Sequence, residues 1–376
     1  MNKNKGSIKV IISGGGTGGH IFPAIAIANA IKEKQPESSI LFVGAENRME
    51  MDRVPKAGYP IIGLPVAGFN RQKLWKNISV LWKLVKSIFK AKRVIKDFRP
   101  DVAVGVGGFA SGPTLKAAEM LNIPTLIQEQ NSYAGVTNKL LAKKASTICV
   151  AYDNMERFFP KEKIILTGNP VRQNLLTTQY TKQEAVQSFS LDTDRPVVLI
   201  LGGSLGAQSI NECFLHHIDT MKKSNTQFIW QTGKLYIDRI QDFVSQKNLT
   251  NIVITDFISD MAKAYAAADL VVSRAGAGSI SEFCLLGKAV LLIPSPNVAE
   301  DHQTQNTLAL VEKEAAIYVK DKELKEKLLL TIEQNIQNKK VLAELQKNIK
   351  TLALPDSAAV IADEIIKLAK NQHENR

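Results

Sequence analysis

Short apolar runs alternate along the chain with segments whose apolar positions recur every three or four residues. Residues 8–12, 40–43, 102–104, 125–127 and 148–150 read as strands, and Ala24 to Lys34 reads as a helix, with further helical segments between the runs. Strands that are nearly continuous in apolar residues and alternate with helices predict a parallel α/β sheet covered on both faces. The pattern then restarts. Residues 196–201, 228–230, 252–254, 270–272 and 289–293 are again strand-like, with helical segments between them. Each half opens with a strand that runs into a glycine-rich loop, and Gly14 and Gly202 are 188 residues apart, half of the chain. This repeat of architecture predicts two doubly wound domains in tandem. The boundary is expected near Asn169-Pro170-Val171-Arg172 and the polar stretch from Thr177 to Asp194. A last helix of about 14 residues is expected from Pro355-Asp356, in a position to cross back to the first domain.

Composition narrows the class. The 376 residues are 45% hydrophobic and 22% charged, which excludes wholesale disorder. Lys and Arg number 48 against 36 Asp and Glu, a net charge of +12. That excess points to an anionic partner: nucleic acid, anionic lipid or a phosphorylated substrate. The three cysteines, Cys149, Cys213 and Cys284, have no metal-ligand spacing and fit a reducing compartment without disulfides. The N-terminus carries no signal-peptide core, and no apolar stretch reaches the ~18 residues of a membrane span. These features describe a cytosolic protein, with contact to a membrane surface left open.

The candidate chemistry lies in the loops. Gly14-Gly15-Gly16-Thr17-Gly18-Gly19-His20 follows a strand and opens a helix, so its backbone N–H groups and the helix N-terminus suit an anion. It contains the dinucleotide-binding pattern G-x-G-x-x-G, for which Glu46 could hold a ribose. The loop has more glycines than that pattern needs, and it ends in His20, where an imidazole could serve as a base or merely cap the helix. Gly202-Gly203-Ser204-Leu205-Gly206 repeats the device and suits either a diphosphate or a tight turn. Residues 273–282 place small residues before Glu282, a carboxylate for a ribose diol or for the helix dipole. The polar loop 294–306 offers Gln303 and Asn306 to sugar hydroxyls. On these features alone, a nicotinamide oxidoreductase built on the first loop competes with a sugar-nucleotide enzyme, and a non-catalytic binder of anionic lipid is a third reading.

Six segments in order then carry a resemblance: residues 15–24 around Gly18-Gly19-His20, Gly107-Gly108-Phe109-Ala110-Ser111-Gly112-Pro113, Glu129-Gln130-Asn131, Gly168-Asn169-Pro170-Val171-Arg172, Gly202-Gly203-Ser204-Leu205-Gly206-Ala207, and residues 277–282. From about Lys9 to Val319 the chain resembles the MurG family, peripheral membrane glycosyltransferases that add N-acetylglucosamine to lipid I in peptidoglycan synthesis, and so serve cell-wall growth and division. The resemblance implies the GT-B architecture, two Rossmann-like doubly wound domains facing a cleft. Residues 1–170 would take the acceptor and face the membrane, residues 171–353 would bind UDP-GlcNAc, and residues 354–376 would form the returning helix and a polar tail. It implies an inverting transfer from UDP-GlcNAc to the C4 hydroxyl of the muramoyl sugar, with no metal or other cofactor required. His20 is the implied base, with Glu129 next. Thr17, Gly18 and Gly19 would face a diphosphate and Asn131 the sugar. Arg172 and Ser204 would hold the nucleotide, Ile258 would meet the uracil through its backbone, and Ala277, Gly278, Ser279, Ile280 and Ser281 would line the site. Glu282 would bind the ribose and Gln303 the sugar hydroxyls. The chain departs from the family pattern at Gln128, where a histidine is usual, and at Phe109, where a tyrosine is common. A base at position 128 is thereby excluded.

The charge excess is concentrated. Between Arg71 and Arg99 there are ten basic residues and one acid, Asp97, a net charge of +9. On a helix, Lys76, Lys83, Lys86, Lys90 and Arg93 fall along one stripe, beside a wide apolar face of Trp75, Ile78, Leu81, Trp82, Val85, Ile88 and Phe89. This is expected of a helix lying on the anionic cytoplasmic face of the membrane as well as of a crossover helix packed on the sheet. No recognisable nucleic-acid motif accompanies the charge, so nucleic acid is not expected as a partner.

Overall fold

The computed structural model describes residues 7–66, 77–171, 175, 180–203 and 205–374. It has two compact units, one of Met1–Val171 with Leu354–Arg376, the other of Arg172–Ala353. In the first unit seven parallel strands lie in the order β3-β2-β1-β4-β5-β6-β7. They are β1 (Lys9–Gly14), β2 (Ser39–Ala45), β3 (Ile61–Leu64), β4 (Val102–Gly107), β5 (Thr125–Glu129), β6 (Thr147–Val150) and β7 (Ile164–Leu166). The helices α1 (Gly18–Lys34), α2 (Glu50–Lys56), α3 (Asn77–Phe98), α4 (Ser111–Met120) and α5 (Val136–Ala142) connect them. Side chains of β1 alternate between two cores: Val10 and Ile12 pack toward α1, and Ile11 packs toward α3 and α4. Both faces are therefore apolar, as a doubly wound sheet requires.

The second unit repeats this plan with six parallel strands in the order β10-β9-β8-β11-β12-β13. They are β8 (Val197–Leu201), β9 (Gln227–Gln231), β10 (Ile252–Thr255), β11 (Leu270–Ser273), β12 (Val290–Leu292) and β13 (Ile317–Tyr318). In each unit the strand order reverses beside the strand that carries the glycine-rich loop: between β1 and β4, and between β8 and β11. At such a switch point the loops beyond the carboxyl ends of the strands diverge and leave room for a ligand.

Three strands, β3, β7 and β13, have no counterpart in the sequence reading. They are the short outer strands, of four, three and two residues, too brief to display a period. Helix α1 begins at Gly18, six residues earlier than the apolar pattern suggests, because its first turns are glycines, His20 and Pro23. Pro23 is buried in the packed face, where tertiary contact outweighs the missing hydrogen bond. The last helix runs Ser357–Glu374, 18 residues, and belongs to the first unit. Its Ala358, Ile361, Ala362, Ile365, Ile366 and Ala369 form one stripe against Ile21, Ala24, Ile27, Ala28 and Ile31 of α1. Burying each isoleucine is worth about 1.5–3 kcal/mol. The surface ion pair Lys34–Asp363, at 2.7 Å, adds about 0–1 kcal/mol. The apolar seam is what holds the helix.

Candidate active site

In the first unit the loops after β1, β4 and β5 meet at the switch point. The Gly15–Gly16 peptide lies at their centre. Its carbonyl, from Gly15, is 3.0 Å from His20 Nδ1, and its N–H, from Gly16, donates to Glu50 Oε2 at 2.8 Å. Thr17 Oγ1 lies 3.4 Å from the same imidazole nitrogen. A carbonyl oxygen only accepts, so Nδ1 carries the proton, and in the neutral ring the lone pair is on Nε2. His20 is the third residue of α1 and does not cap it; the N-cap is Thr17, which makes no side-chain cap bond. Gly107 makes room for the ring, since a Cβ there would lie 2.7 Å from His20 Cδ2. Gly108, at φ +87°, packs directly on the Gly15 backbone.

Glu50 is fully buried; its second oxygen accepts from Ala45 N–H at 2.9 Å. The sequence reading missed it, because its partners are backbone groups and the motif residue it bonds, Gly16, is 34 residues away. Two expectations fail around it. Glu46, a ribose ligand in the oxidoreductase reading, pairs instead with Lys90 at 2.8 Å. The Gly16 N–H, one of the donors a dinucleotide pyrophosphate would use, is already bound to a carboxylate. The oxidoreductase reading is not supported.

After β5, Glu129 is buried and accepts from Asn131 N–H and Nδ2 through Oε1, and from Gly135 N–H and Asn138 Nδ2, the latter at 2.8 Å, through Oε2. Its two oxygens hold the loop, with Asn131, Gly135 and Asn138 as the donors. Gln128 and Gln130 are also structural. Gln128 Nε2 donates to Asn169 Oδ1, Gln130 Nε2 donates to the Val106 carbonyl, and Asn169 Nδ2 closes the network on the Gln130 carbonyl. Asn131 is half-buried at the rim. Thr17 and Gly19 are exposed, and Gly18 is half-exposed.

In the second unit the loop after β8 is held by a glycine stack. Gly203 and Gly206 have φ of +84° and +81°, and Gly206 lies against the Thr232 carbonyl while Gly233 lies against Leu205 and Gly206. Ser204 and Arg172 fall outside the described residues. The helix Gln208–His216 that follows, and the helix Ala277–Leu286 after β11, start without a side-chain cap and without an acid in the first turn. By contrast Thr181 and Asp260 cap their own helices. Uncapped first turns at a switch point leave N–H donors for an anion. Ala277, Gly278 and Ser279 form that first turn, and Gly278 borders open space. Ser281 Oγ donates to the Ala277 carbonyl, and Ile280 has a buried side chain and an N–H bound to Gly276.

Glu282 stands beyond the first turn, so the helix dipole does not account for it. It is 8% exposed and accepts from Tyr265 Oη at 2.9 Å. The Ile258 side chain is buried in the loop after β10. Gln303 Oε1 accepts from Ser295 N–H at 2.9 Å, which orients its amide NH₂, and Asn306 is fully buried, its Nδ2 3.4 Å from the Ala275 carbonyl. Arg274, also missed in the sequence, ties the site together. It donates to the Ile293 and Pro294 carbonyls, to Ser209 Oγ at 2.7 Å and to Asp321. Among the described residues, no group of three or more His, Cys, Asp or Glu is arranged to hold a metal ion.

On α3 the apolar positions do not form one face. Val80, Ser87, Ala91, Val94 and Ile95 are buried against the unit, whereas Leu81, Trp82, Val85 and Phe89 are exposed, Trp82 by 76% and Phe89 by 69%. Lys83, Lys86 and Lys90 are exposed on the same helix. Trp75 lies outside the described residues. Among the described residues no helix is long and apolar enough to cross a membrane.

Two family models match the chain: the glycosyltransferase family 28 N-terminal domain over residues 10–150, and its C-terminal domain over residues 197–361. A relative from Bacteroides fragilis, named UDP-N-acetylglucosamine–N-acetylmuramyl-(pentapeptide) pyrophosphoryl-undecaprenol N-acetylglucosamine transferase, is 64% identical over 366 residues, 97% of this chain and 96% of its own length. A relative of the same name from Phocaeicola vulgatus is 64% identical over 371 residues, 98% of this chain and 99% of its own. Among solved structures, MurG of Acinetobacter baumannii superposes with a TM-score of 0.78 at 28% identity, covering 96% of this chain and 99% of that one.

Proposed function

The chain belongs to glycosyltransferase family 28 as a member of the MurG family, and from that membership we propose how its residues perform the family's reaction. N-acetylglucosamine passes from UDP-GlcNAc to the C4 hydroxyl of the muramoyl sugar of lipid I, giving lipid II for peptidoglycan synthesis. The acceptor oxygen attacks the anomeric carbon from the face opposite UDP. The hydroxyl proton goes to His20 Nε2, the bond from the anomeric carbon to the diphosphate oxygen breaks, and UDP leaves with the electron pair. The configuration inverts. The observation that carries this reading is the His20 Nδ1–H bond to the Gly15 carbonyl, which leaves Nε2 as the accepting nitrogen at the β1/β4 switch point.

The first unit takes lipid I, with Thr17, Gly18 and Gly19 toward its diphosphate and Asn131 toward a sugar. The second unit takes the donor. Glu282 accepts from the ribose hydroxyls, Gln303 reaches the sugar hydroxyls through its amide, and the Ile258 backbone meets the uracil. The diphosphate lies on the first turns of the helices at Gln208 and Ala277, where fixed N–H dipoles stabilise the charge of the leaving group. Arg172 and Ser204 complete the nucleotide site. The lipid-linked acceptor is met at the cytoplasmic face of the membrane, on which the exposed Trp82 and Phe89 with Lys83 and Lys86 seat the first unit.

A thermal-shift comparison tests the donor class. A ligand at 100 times its Kd stabilises by about 2.7 kcal/mol, so UDP-GlcNAc is expected to raise Tm and NAD to leave it unchanged. Stabilisation by NAD but not by UDP-GlcNAc would overturn the reading.

A further inference from the structure

We propose that Glu50 is a positioning residue for His20 and acts on it through a single peptide group. The proposal rests on the assignment of His20 as the base. The Gly15–Gly16 peptide is one planar, resonant unit. At one end its N–H donates to the Glu50 carboxylate, at 2.8 Å; at the other its carbonyl accepts from His20 Nδ1, at 3.0 Å. A carboxylate accepting from the N–H polarises the amide and makes its carbonyl oxygen a stronger acceptor. The imidazole is then held with its proton on Nδ1, and the positive charge that forms when Nε2 takes a proton is met by a chain ending in an anion. Direct carboxylate–imidazole pairs use the same logic; here a peptide stands between the partners.

The packing is built around this chain of bonds. Glu50 is completely buried, and Ala45 N–H fixes its other oxygen at 2.9 Å. A Cβ on Gly15 would collide with the Glu50 carboxylate, and one on Gly44 would lie 2.6 Å from Glu50 Cγ. A Cβ on Gly107 would lie 2.8 Å from His20 Nε2, and one on Gly108 would collide with the Gly15 carbonyl oxygen. Four glycines thus clear space for the carboxylate, the peptide and the ring. The sign of the charge decides what this arrangement favours. A loop serving only to cradle a phosphate gains nothing from a buried anion bonded to one of its N–H groups, and is weakened by it. A forming imidazolium is stabilised by it.

The test uses the full-length protein with UDP-GlcNAc and a lipid I analogue. Glu50→Gln keeps the shape and removes the charge. Loss of the outer hydrogen-bond partner of a metal-bound histidine typically costs about 10- to 100-fold, and a fall in kcat of that order is expected here. KM for both substrates should stay within about twofold, the pattern of a group acting only in the transition state. In a His20→Ala background the same substitution should change the residual rate by less than about threefold, because groups acting as one unit are non-additive. Parental kcat in Glu50→Gln, or losses that multiply in the double variant, would overturn the proposal. His20→Ala within a few-fold of the parent would overturn the base assignment itself, whatever Glu50→Gln does. If Glu50→Gln does not fold, nitrogen-15 spectra of histidine-labelled native protein still decide the matter. The His20 resonances, identified by their loss in His20→Ala, are expected to show the Nδ1–H tautomer, and the Nε2–H tautomer would overturn the proposal.

Discussion

An imidazole acts as a base when one of its nitrogens is committed to donating, and at His20 the Gly15 carbonyl makes that commitment. General-base catalysis is worth about 10²–10⁴ in rate. His20→Ala is therefore expected to lower turnover by that factor, with UDP-GlcNAc affinity measured by calorimetry unchanged, since the proposal seats the donor on the other unit. Glu282 is the corresponding residue proposed for binding. A hydrogen bond to a charged group contributes about 1.5–3 kcal/mol, so Glu282→Ala should weaken UDP-GlcNAc binding by roughly 10- to 150-fold in the same measurement. Tyr265→Phe keeps the ring, which stands edge-on to Phe283 at 5.8 Å, and loses only the bond to Glu282. A smaller loss is expected there. Burial pushes the thiols of Cys149, Cys213 and Cys284 up to about 12. Only the thiolate reacts, so none of the three should be alkylated in the native protein at pH 7–8, as counted by mass spectrometry. His20 and Glu282 were legible in the sequence as candidates because each stands in a motif whose residue types suggest a chemistry. Glu50 and Arg274 were not. Glu50 reaches Gly16, and Arg274 reaches Ser209 and Asp321, across long stretches of chain, and a sequence does not record which loops meet.

Helix α3 is an element whose buried side is set by one stripe and whose outer side is set by another. Its existence and its charge were legible, because periodicity and composition are local. Which apolar residues face the core was not, because apolar positions surround much of the helix and only the sheet beneath decides among them. The structure buries Val80, Ala91, Val94 and Ile95 and leaves Leu81, Trp82, Val85 and Phe89 outside. Each Lys near an anionic surface contributes about 1 kcal/mol, within a Debye length. Lys90 contributes less than its neighbours, being paired with Glu46. Changing Lys83 and Lys86 to Gln should release the protein from anionic vesicles at moderate salt, in co-sedimentation, without a change in Tm. Trp82→Ala should weaken vesicle binding even at low salt and also leave Tm unchanged, because its ring is not part of the core. Equal binding to neutral and anionic vesicles would remove the electrostatic part of this assignment.

At the scale of the whole molecule, the two units differ in how the chain supplies them. The second is one continuous stretch; the first is closed by a helix from the far end. The stripe 358, 361, 362, 365, 366 and 369 was visible as a helix in the sequence, yet nothing in it names α1 as its partner. Removing residues 354–376 strips Ile361, Ile365 and Ile366 from the core, each worth about 1.5–3 kcal/mol. Calorimetry of that truncated chain should show a lowered transition for the first unit, while UDP-GlcNAc still raises the transition of the second. The same connection sets an order of events at the ribosome. Domains usually fold as they emerge, N-terminal first, at about 5–20 residues per second. Here the N-terminal unit cannot finish until the last helix is made, about 10–40 s after Val171 at that pace. During that interval the groove on α1 lined by Ile27, Ala28 and Ile31 stands open to water. The half synthesised later thus has all of its residues in hand before the half synthesised first does.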